Sequence, residues 1–181
     1  IINLDQKICS KRILIFNNLI QRRSQNEPMA YIIKEKEFWS KNFIVNNNTL
    51  IPRPETELMV EILAKTFKKK TLSILDVGTG SGCILISLLS ELENSKGLGI
   101  DISKKAIFIA KKNAKKHKIL NNIKFLNKSI SSNFNQKFDL IVSNPPYIKS
   151  SNLRKLSNDI KKYEPRIALD GGNDGLDLIK K

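Results

Sequence analysis

Apolar positions along this chain recur at two distinct periods. Across residues 4–23, Ile8, Ile13, Leu14, Phe16, Leu19 and Ile20 fall near helical spacing, and Arg22-Arg23 follow as suits the negative end of a helix. Residues 28–54 change character: Tyr31-Ile32-Ile33, Glu37-Phe38-Trp39 and Phe43-Ile44-Val45 are short aromatic and β-branched runs, with Asn46-Asn47-Asn48 as polar punctuation. This stretch reads as a β-hairpin linking two parts of the protein. Pro54, Glu55 and Glu57 then suit a helical first turn, and Leu58, Ile62, Leu63 and Phe67 supply its apolar stripe. Beyond Lys70 the pattern predicts strand 72–77, a glycine loop 78–82, helix 83–93, strand 98–100, helix 104–117, strand 123–126 and strand 138–142. Strands alternating with helices of this length imply βαβ units with right-handed crossovers, and so an α/β fold around a mostly parallel sheet.

Composition narrows the class. The 181 residues are one domain's worth of chain, and 40% hydrophobic residues suffice for a core. No apolar run approaches the roughly 18–20 residues of a membrane span, and no secretory leader is legible, so a cytoplasmic protein is expected. Cys9 and Cys83 lie far apart and His117 is the single histidine. This excludes a disulfide scaffold, an ordinary zinc cluster and any two-histidine mechanism; no metal is expected. Cys83 reads as core and His117 as surface. Thirty-two Lys and Arg against 17 Asp and Glu give a net charge of +15. That charge suits nucleic acid, but lysine outnumbers arginine alongside abundant Asn and Ile, as an A+T-rich coding sequence would produce. The densest lysine cluster, between Lys104 and Lys118, falls on an expected helix and reads as a solvated face. The chain opens at Ile1 and stops inside a helix-like stretch, which reads as a fragment.

Two constellations carry chemistry. Asp76-Val77-Gly78-Thr79-Gly80-Ser81-Gly82 sits between an apolar strand and a helix, where glycines let the backbone turn and approach a ligand beside unpaired helix N–H groups. Asp101 follows 23 residues after Gly78 at the end of the next strand, with Ile102 beside it, where a carboxylate can accept from both hydroxyls of a ribose. The third glycine comes one residue earlier than in a dinucleotide fingerprint, a spacing compatible with S-adenosylmethionine; no Gly-Lys-Ser/Thr closes a phosphate loop. The competing reading is a tight strand-to-helix connection and nothing more. The second constellation is Asn144-Pro145-Pro146-Tyr147 after an apolar strand. Two prolines end the sheet and remove two donors, so the Asn144 side-chain oxygen and the Pro145 carbonyl are left to accept from one planar –NH₂, with Tyr147 against its face. Its bland alternative is a rigid turn.

Together these motifs resemble class I methyltransferases that modify planar amide or exocyclic amino nitrogens. Glu37-Phe38-Trp39, Phe43-x-Val45, Leu50-Ile51-Pro52-Arg53-Pro54-Glu55-Thr56-Glu57 and the later Glu164-Pro165-Arg166-x-Ala168-Leu169-Asp170-Gly171-Gly172-x-Asp174-Gly175 are similar to the HemK/PrmC family, the release factor glutamine methyltransferases. The resemblance implies a Rossmann-like S-adenosylmethionine-dependent domain over 54–181, a hairpin linker at 28–53, and at 1–27 the end of a small helical substrate-binding domain, with more sheet beyond 181. It implies cofactor contacts from Asp76, the 78–82 loop, Asp101, Ile102, Ile130 and Asn144. Ser129 stands where the family has an acid. It implies class I release factors as protein partners and the glutamine of their Gly-Gly-Gln motif as substrate; a monomer is expected, with no membrane and no requirement for direct nucleic-acid binding. Arg53 and Glu57 read equally as pocket residues and as helix caps. The alternatives are a ribosomal-protein glutamine methyltransferase, a nucleic-acid adenine-N6 methyltransferase and an inactive cofactor-binding remnant.

Overall fold

The computed structural model of the protein describes residues 9–132 and 134–181. The first expected helix is α1 (Ser10–Ser24); its portion at 4–8 lies outside the described residues. Arg22 and Arg23 occupy its last turn, and Arg22 folds back onto Glu27 at 2.5 Å. None of α1 is buried: Ile13, Leu14, Phe16 and Ile20 all face outward.

The 28–54 stretch holds more than the expected hairpin. Tyr31-Ile32-Ile33 is not strand but the body of a short helix, α2 (Met29–Ile33), because the Pro28 carbonyl accepts from both the Tyr31 and Ile32 amides. The hairpin is shorter, β1 (Glu35–Phe38) against β2 (Lys41–Ile44), and Asn46-Asn47-Asn48 lie beyond it. Its two-residue turn is Trp39-Ser40, with φ of 50° and 53°. Both central residues are left-handed, the geometry that usually selects Asn-Gly. Two tertiary bonds hold Trp39 there: its amide donates to Glu57 Oε1 at 3.2 Å and its indole Nε1 to Glu91 Oε1 at 2.8 Å. Glu57 is thus a brace for this turn.

A 3₁₀ turn at Pro54–Thr56 runs into α3 (Glu57–Thr66). The stripe that α3 buries is Val60 with Met59, Leu63 and Phe67; Leu58 and Ile62, expected to share it, are exposed. Then come β3 (Ser73–Val77), α4 (Cys83–Glu91), β4 (Lys96–Asp101), α5 (Lys104–Lys116), β5 (Ile123–Asn127) and β6 (Leu140–Ser143). Phe138 stays outside the last strand and packs on the sheet. The four strands form one parallel sheet in the order β5-β4-β3-β6, and a short α6 (Asn158–Tyr163) lies beyond it. The α/β fold with a parallel sheet is as expected.

Period-two alternation sorts the sheet into two faces. On one, Ile74, Phe125 and Val142 pack with α3, α4, α5 and the hairpin residues Phe38 and Phe43. On the other, Leu75, Val77, Leu98 and Ile100 meet Ile130, Phe134, Phe138 and Leu178. No helix among the described residues is long and apolar enough to cross a membrane, and no group of three His, Cys, Asp or Glu side chains there would hold a metal. Cys83 is buried, and burial pushes its thiol up to about 12. His117 is not simply surface: its ring lies 4.8 Å from that of Phe43, Nε2 donates to the Asn42 carbonyl, and burial lowers its pKa.

One buried polar residue joins the hairpin to the sheet. Asn113, fully buried in lysine-rich α5, accepts from the Ile44 amide at 2.7 Å and donates to the Ile44 carbonyl at 3.0 Å and the Ser81 carbonyl at 2.8 Å. It completes the hairpin edge as another strand would and pins it to the glycine loop. Asn113→Ala leaves these groups unpaired, so we expect a loss of about 2–4 kcal/mol in urea unfolding, at ~1 kcal/mol or more for each unsatisfied group. An unchanged midpoint would contradict this role.

Candidate active site

The sheet register brings three chain turns to one edge. Val77 pairs with Ile100 on one side and with Ser143 on the other, so β3, β4 and β6 deliver the glycine loop, Asp101 and Asn144 together. The Ile100 carbonyl accepts from both the Gly78 and Thr79 amides at 2.9 Å, which fixes the start of the loop. Gly78 and Gly80 have φ of 73° and 55°, and no atom crowds the place where a Cβ would stand at Gly78. Backbone conformation, not packing, therefore demands glycine at Gly78, which stands on a cavity wall.

Two carboxylates lie under and beside this loop. Asp76 is buried; Thr79 Oγ1 donates to its Oδ2 at 2.6 Å, while Oδ1 has no partner among the described residues. Burial, reinforced by nearby Asp101, pushes its carboxyl up to about 7 against the pull of the Thr79 bond. Asp101 accepts from the Gly80 amide at 3.0 Å and from the Ser103 amide at 2.8 Å, and burial again raises its pKa. Each of its oxygens keeps a further acceptor position.

Asn144-Pro145-Pro146-Tyr147 leaves the end of β6 as a turn that carries acceptors. Asn144 Nδ2 points to Thr56 Oγ1 at 3.4 Å, and neither Oδ1 nor the Pro145 carbonyl accepts from a described residue. The chain after this turn is clasped by 169–175: Ile148 donates to the Leu169 carbonyl, and Gly171 donates to that of Ile148. Gly175, at φ 83°, passes so close that a Cβ there would stand 2.5 Å from the Tyr147 carbonyl oxygen. The glycines of the late motif thus hold the proline turn in place.

Two cavities meet at Asn144. The first is lined by Gly78, Thr79, Gly80, Ser81, Asp101 and Ile102, with Ser129, Ile130, Asn144 and Pro146 also on its wall. The second runs along Pro145, Tyr147, Met59, Glu55 and Ile160. Leu50, Arg53, Thr56, Asn144 and Ala168 line both. Asp76 and Gly82 lie outside these walls, Asp76 beneath the loop and Gly82 at the start of α4, packed on Ala110. The cation at the shared wall is anchored. Arg53 Nη2 lies 2.5 Å from Oε1 of buried Glu164, whose Oε2 accepts from the Ile51 amide at 3.2 Å. Sequence reading left that pairing unseen, because its partners are 111 residues apart.

The family model described as "Methyltransferase small domain" matches residues 53–162, the stretch that contains the loop, Asp101 and the proline turn. The chain belongs to this methyltransferase family. It is 41% identical to a "Bifunctional methyltransferase" of Rickettsia typhi over 98% of this chain and 38% of that protein. It is 43% identical to the "Release factor glutamine methyltransferase" of Buchnera aphidicola over 96% of this chain and 62% of that one. The HemK/PrmC resemblance is therefore borne out, and the chain spans between about two fifths and three fifths of these relatives' length. Among solved structures, the hMettl16 catalytic domain shares the fold, with a TM-score of 0.60 at 17% identity over 76% of this chain and 53% of that one.

With S-adenosylmethionine bound in the first cavity, Asp101 would accept from the ribose diol and Ile102 and Ile130 would pack on the adenine face, whereas Asp76, its partnerless oxygen buried beneath the loop, does not reach the cavity wall and holds Thr79 instead. Asp76 also sets a pH signature. Its carboxyl holds a proton up to about pH 7 when folded but only to its ordinary 3.8 when unfolded, so the folded chain binds more protons between these values. Its contribution is fully present below pH 3.8, falls as pH rises through that window and levels above 7, by at most on the order of 4 kcal/mol. Asp76→Asn, which keeps an acceptor for Thr79, should flatten this decline in urea unfolding between pH 4 and 7.5. An unchanged slope would place the burial cost elsewhere.

Proposed function

We propose that this chain transfers a methyl group from S-adenosylmethionine to the side-chain amide nitrogen of glutamine in the Gly-Gly-Gln motif of class I peptide chain release factors. The observation that carries the reading is the pair of unspent acceptors, Asn144 Oδ1 and the Pro145 carbonyl, of residues that stand on the wall shared by both cavities and next to it on the second. Names such as that of the Buchnera aphidicola relative support the substrate. Residues 54–181 act as the catalytic domain, the hairpin at 28–53 as a linker, and 1–27 as the end of a helical substrate-binding part. The enzyme meets release factors as a monomer in the cytoplasm.

When bound, the cofactor supplies an electrophilic methyl on a cationic sulfur. Bound in the first cavity, it would give that methyl to the amide nitrogen, keeping the electron pair of the broken S–C bond on sulfur, while the nitrogen's proton would pass to solvent. An amide lone pair is delocalised and weakly nucleophilic, so orientation supplies much of the rate, on the order of 7–11 kcal/mol for well-placed reactants. Asn144 and Pro145 accept the two N–H groups and turn the nitrogen toward the methyl. As charge builds on nitrogen these N–H groups become stronger donors, so both bonds tighten in the transition state. Pro145 and Pro146 have no N–H to donate, which removes two backbone donors from the turn. Tyr147, exposed on the second cavity, covers the planar group.

With labelled S-adenosylmethionine, label should enter a release factor carrying Gly-Gly-Gln and neither its Gln→Ala variant, a ribosomal protein nor duplex DNA. Asn144→Ala should lower kcat by about 10²–10³, the scale for one lost transition-state hydrogen bond, with a smaller change in cofactor affinity. Label on DNA, or undiminished transfer by Asn144→Ala, would overturn the assignment.

A further inference from the structure

The acceptor pair accounts for the two N–H groups of a primary amide and leaves its carbonyl oxygen without a donor. A buried amide oxygen needs one. Among the described residues on the second cavity, Arg53 is the only cation, and its companion Glu55 can only accept when ionised. Arg53 also stands on the wall that both cavities share, beside Asn144 and Thr56. One arm of its guanidinium is held by Glu164, which is itself fixed by the Ile51 amide. Pro52 and Pro54 have no N–H groups, so Ile51 and Arg53 carry the only backbone donors of this turn. A guanidinium has five N–H donors, and the ion pair with Glu164 engages one of them at 2.5 Å.

Resting on the glutamine methyltransferase reading, we propose that Arg53 is the donor that takes the carbonyl oxygen of the substrate amide, with Glu164 as its positioning residue. The three groups then read the whole amide: two acceptors for N–H and one cationic donor for oxygen. This arrangement fixes the rotation of the amide, so that nitrogen and not oxygen faces the cofactor cavity. By polarising the carbonyl it also makes the N–H groups more acidic as charge builds on nitrogen, which favours loss of the proton and the neutral N-methyl amide. A carboxylate in place of the amide would pair with the same cation but offer no nitrogen. A Gly-Gly-Glu peptide should therefore bind as an unreactive competitor, and its grip should depend on Arg53.

The test compares wild type, Arg53→Met, Arg53→Lys, Glu164→Gln and the double variant Arg53→Met/Glu164→Met. The double variant matters because Arg53→Met alone strands a buried carboxylate. We expect Arg53→Met and the double variant to lower kcat/KM for the Gly-Gly-Gln substrate by about 10- to 100-fold, the scale of a hydrogen bond to a charged group. S-adenosylhomocysteine affinity, measured by calorimetry, should change by less than about threefold. Arg53→Lys should restore part of the loss, since a point charge replaces the fork. Glu164→Gln should cost less than Arg53→Met. Inhibition by Gly-Gly-Glu should weaken about tenfold or more without Arg53. Loss of cofactor affinity with unchanged peptide inhibition would make Arg53 a cofactor ligand and overturn the proposal. So would equal inhibition of wild type and the folded double variant. Failure of wild type to methylate Gly-Gly-Gln at all would instead overturn the reading on which the proposal rests.

Discussion

Everything at this site depends on parallel strands ending along one line. Because β3 lies between β4 and β6 in matched register, the turns that follow the three strands emerge side by side. A single carbonyl, that of Ile100, then accepts two loop amides, while Asp101 accepts a third from Gly80. The loop conformation is thus written by the neighbouring strand as much as by its own glycines. Asn113 extends the same logic outward: one buried amide completes the hairpin edge and holds the Ser81 carbonyl, so the hairpin packs as part of the catalytic body.

The charges of the site are mixed: Asp101, Lys128 and Lys181 line the first cavity, Glu55 the second and Arg53 both. In a chain with a net charge of +15, the groups left without a described partner at the proline turn are nevertheless acceptors, the Asn144 side-chain oxygen and the Pro145 carbonyl. Acceptors of this kind suit a cationic cofactor and an N–H-bearing substrate, and they suit phosphate poorly. Lysines of α5 lie on a solvated face, and one of them, Lys116, pairs with Glu35 of the hairpin. The cation on the wall that both cavities share is Arg53, and its place is fixed by a carboxylate from the far end of the chain.

Much of the fold was legible because strands buried on both faces read as apolar runs, as in Ile74-Leu75-Asp76-Val77, and because the glycine loop and Asn144-Pro145-Pro146-Tyr147 punctuate strand ends. What escaped sequence reading was set by tertiary contacts. The Trp39-Ser40 turn lacks the usual turn residues, since Glu57 and Glu91 hold it from outside. Tyr31-Ile32-Ile33 has the composition of a strand, and yet the Pro28 carbonyl winds it into helix. Leu58 and Ile62 share helical spacing with Leu63, and still Val60 is the residue that reaches the core. Asn113 was hidden among lysines, and Glu164 gives no local sign that it meets Arg53. The glycines at 171–175 were visible as a motif, but the close approach of Gly171 to the Pro146 carbonyl and of Gly175 to that of Tyr147, with the positive φ of Gly172, is what explains them.

The central claim is that a substrate amide sits between the cavities with its nitrogen toward the cofactor. The most direct measurement is a crystal structure of the enzyme with S-adenosylhomocysteine and a Gly-Gly-Gln peptide. The account predicts the glutamine amide nitrogen within about 3 Å of both Asn144 Oδ1 and the Pro145 carbonyl oxygen, on the side of the cofactor sulfur. An amide with its oxygen turned toward Asn144, or a glutamine bound away from the proline turn, would contradict it.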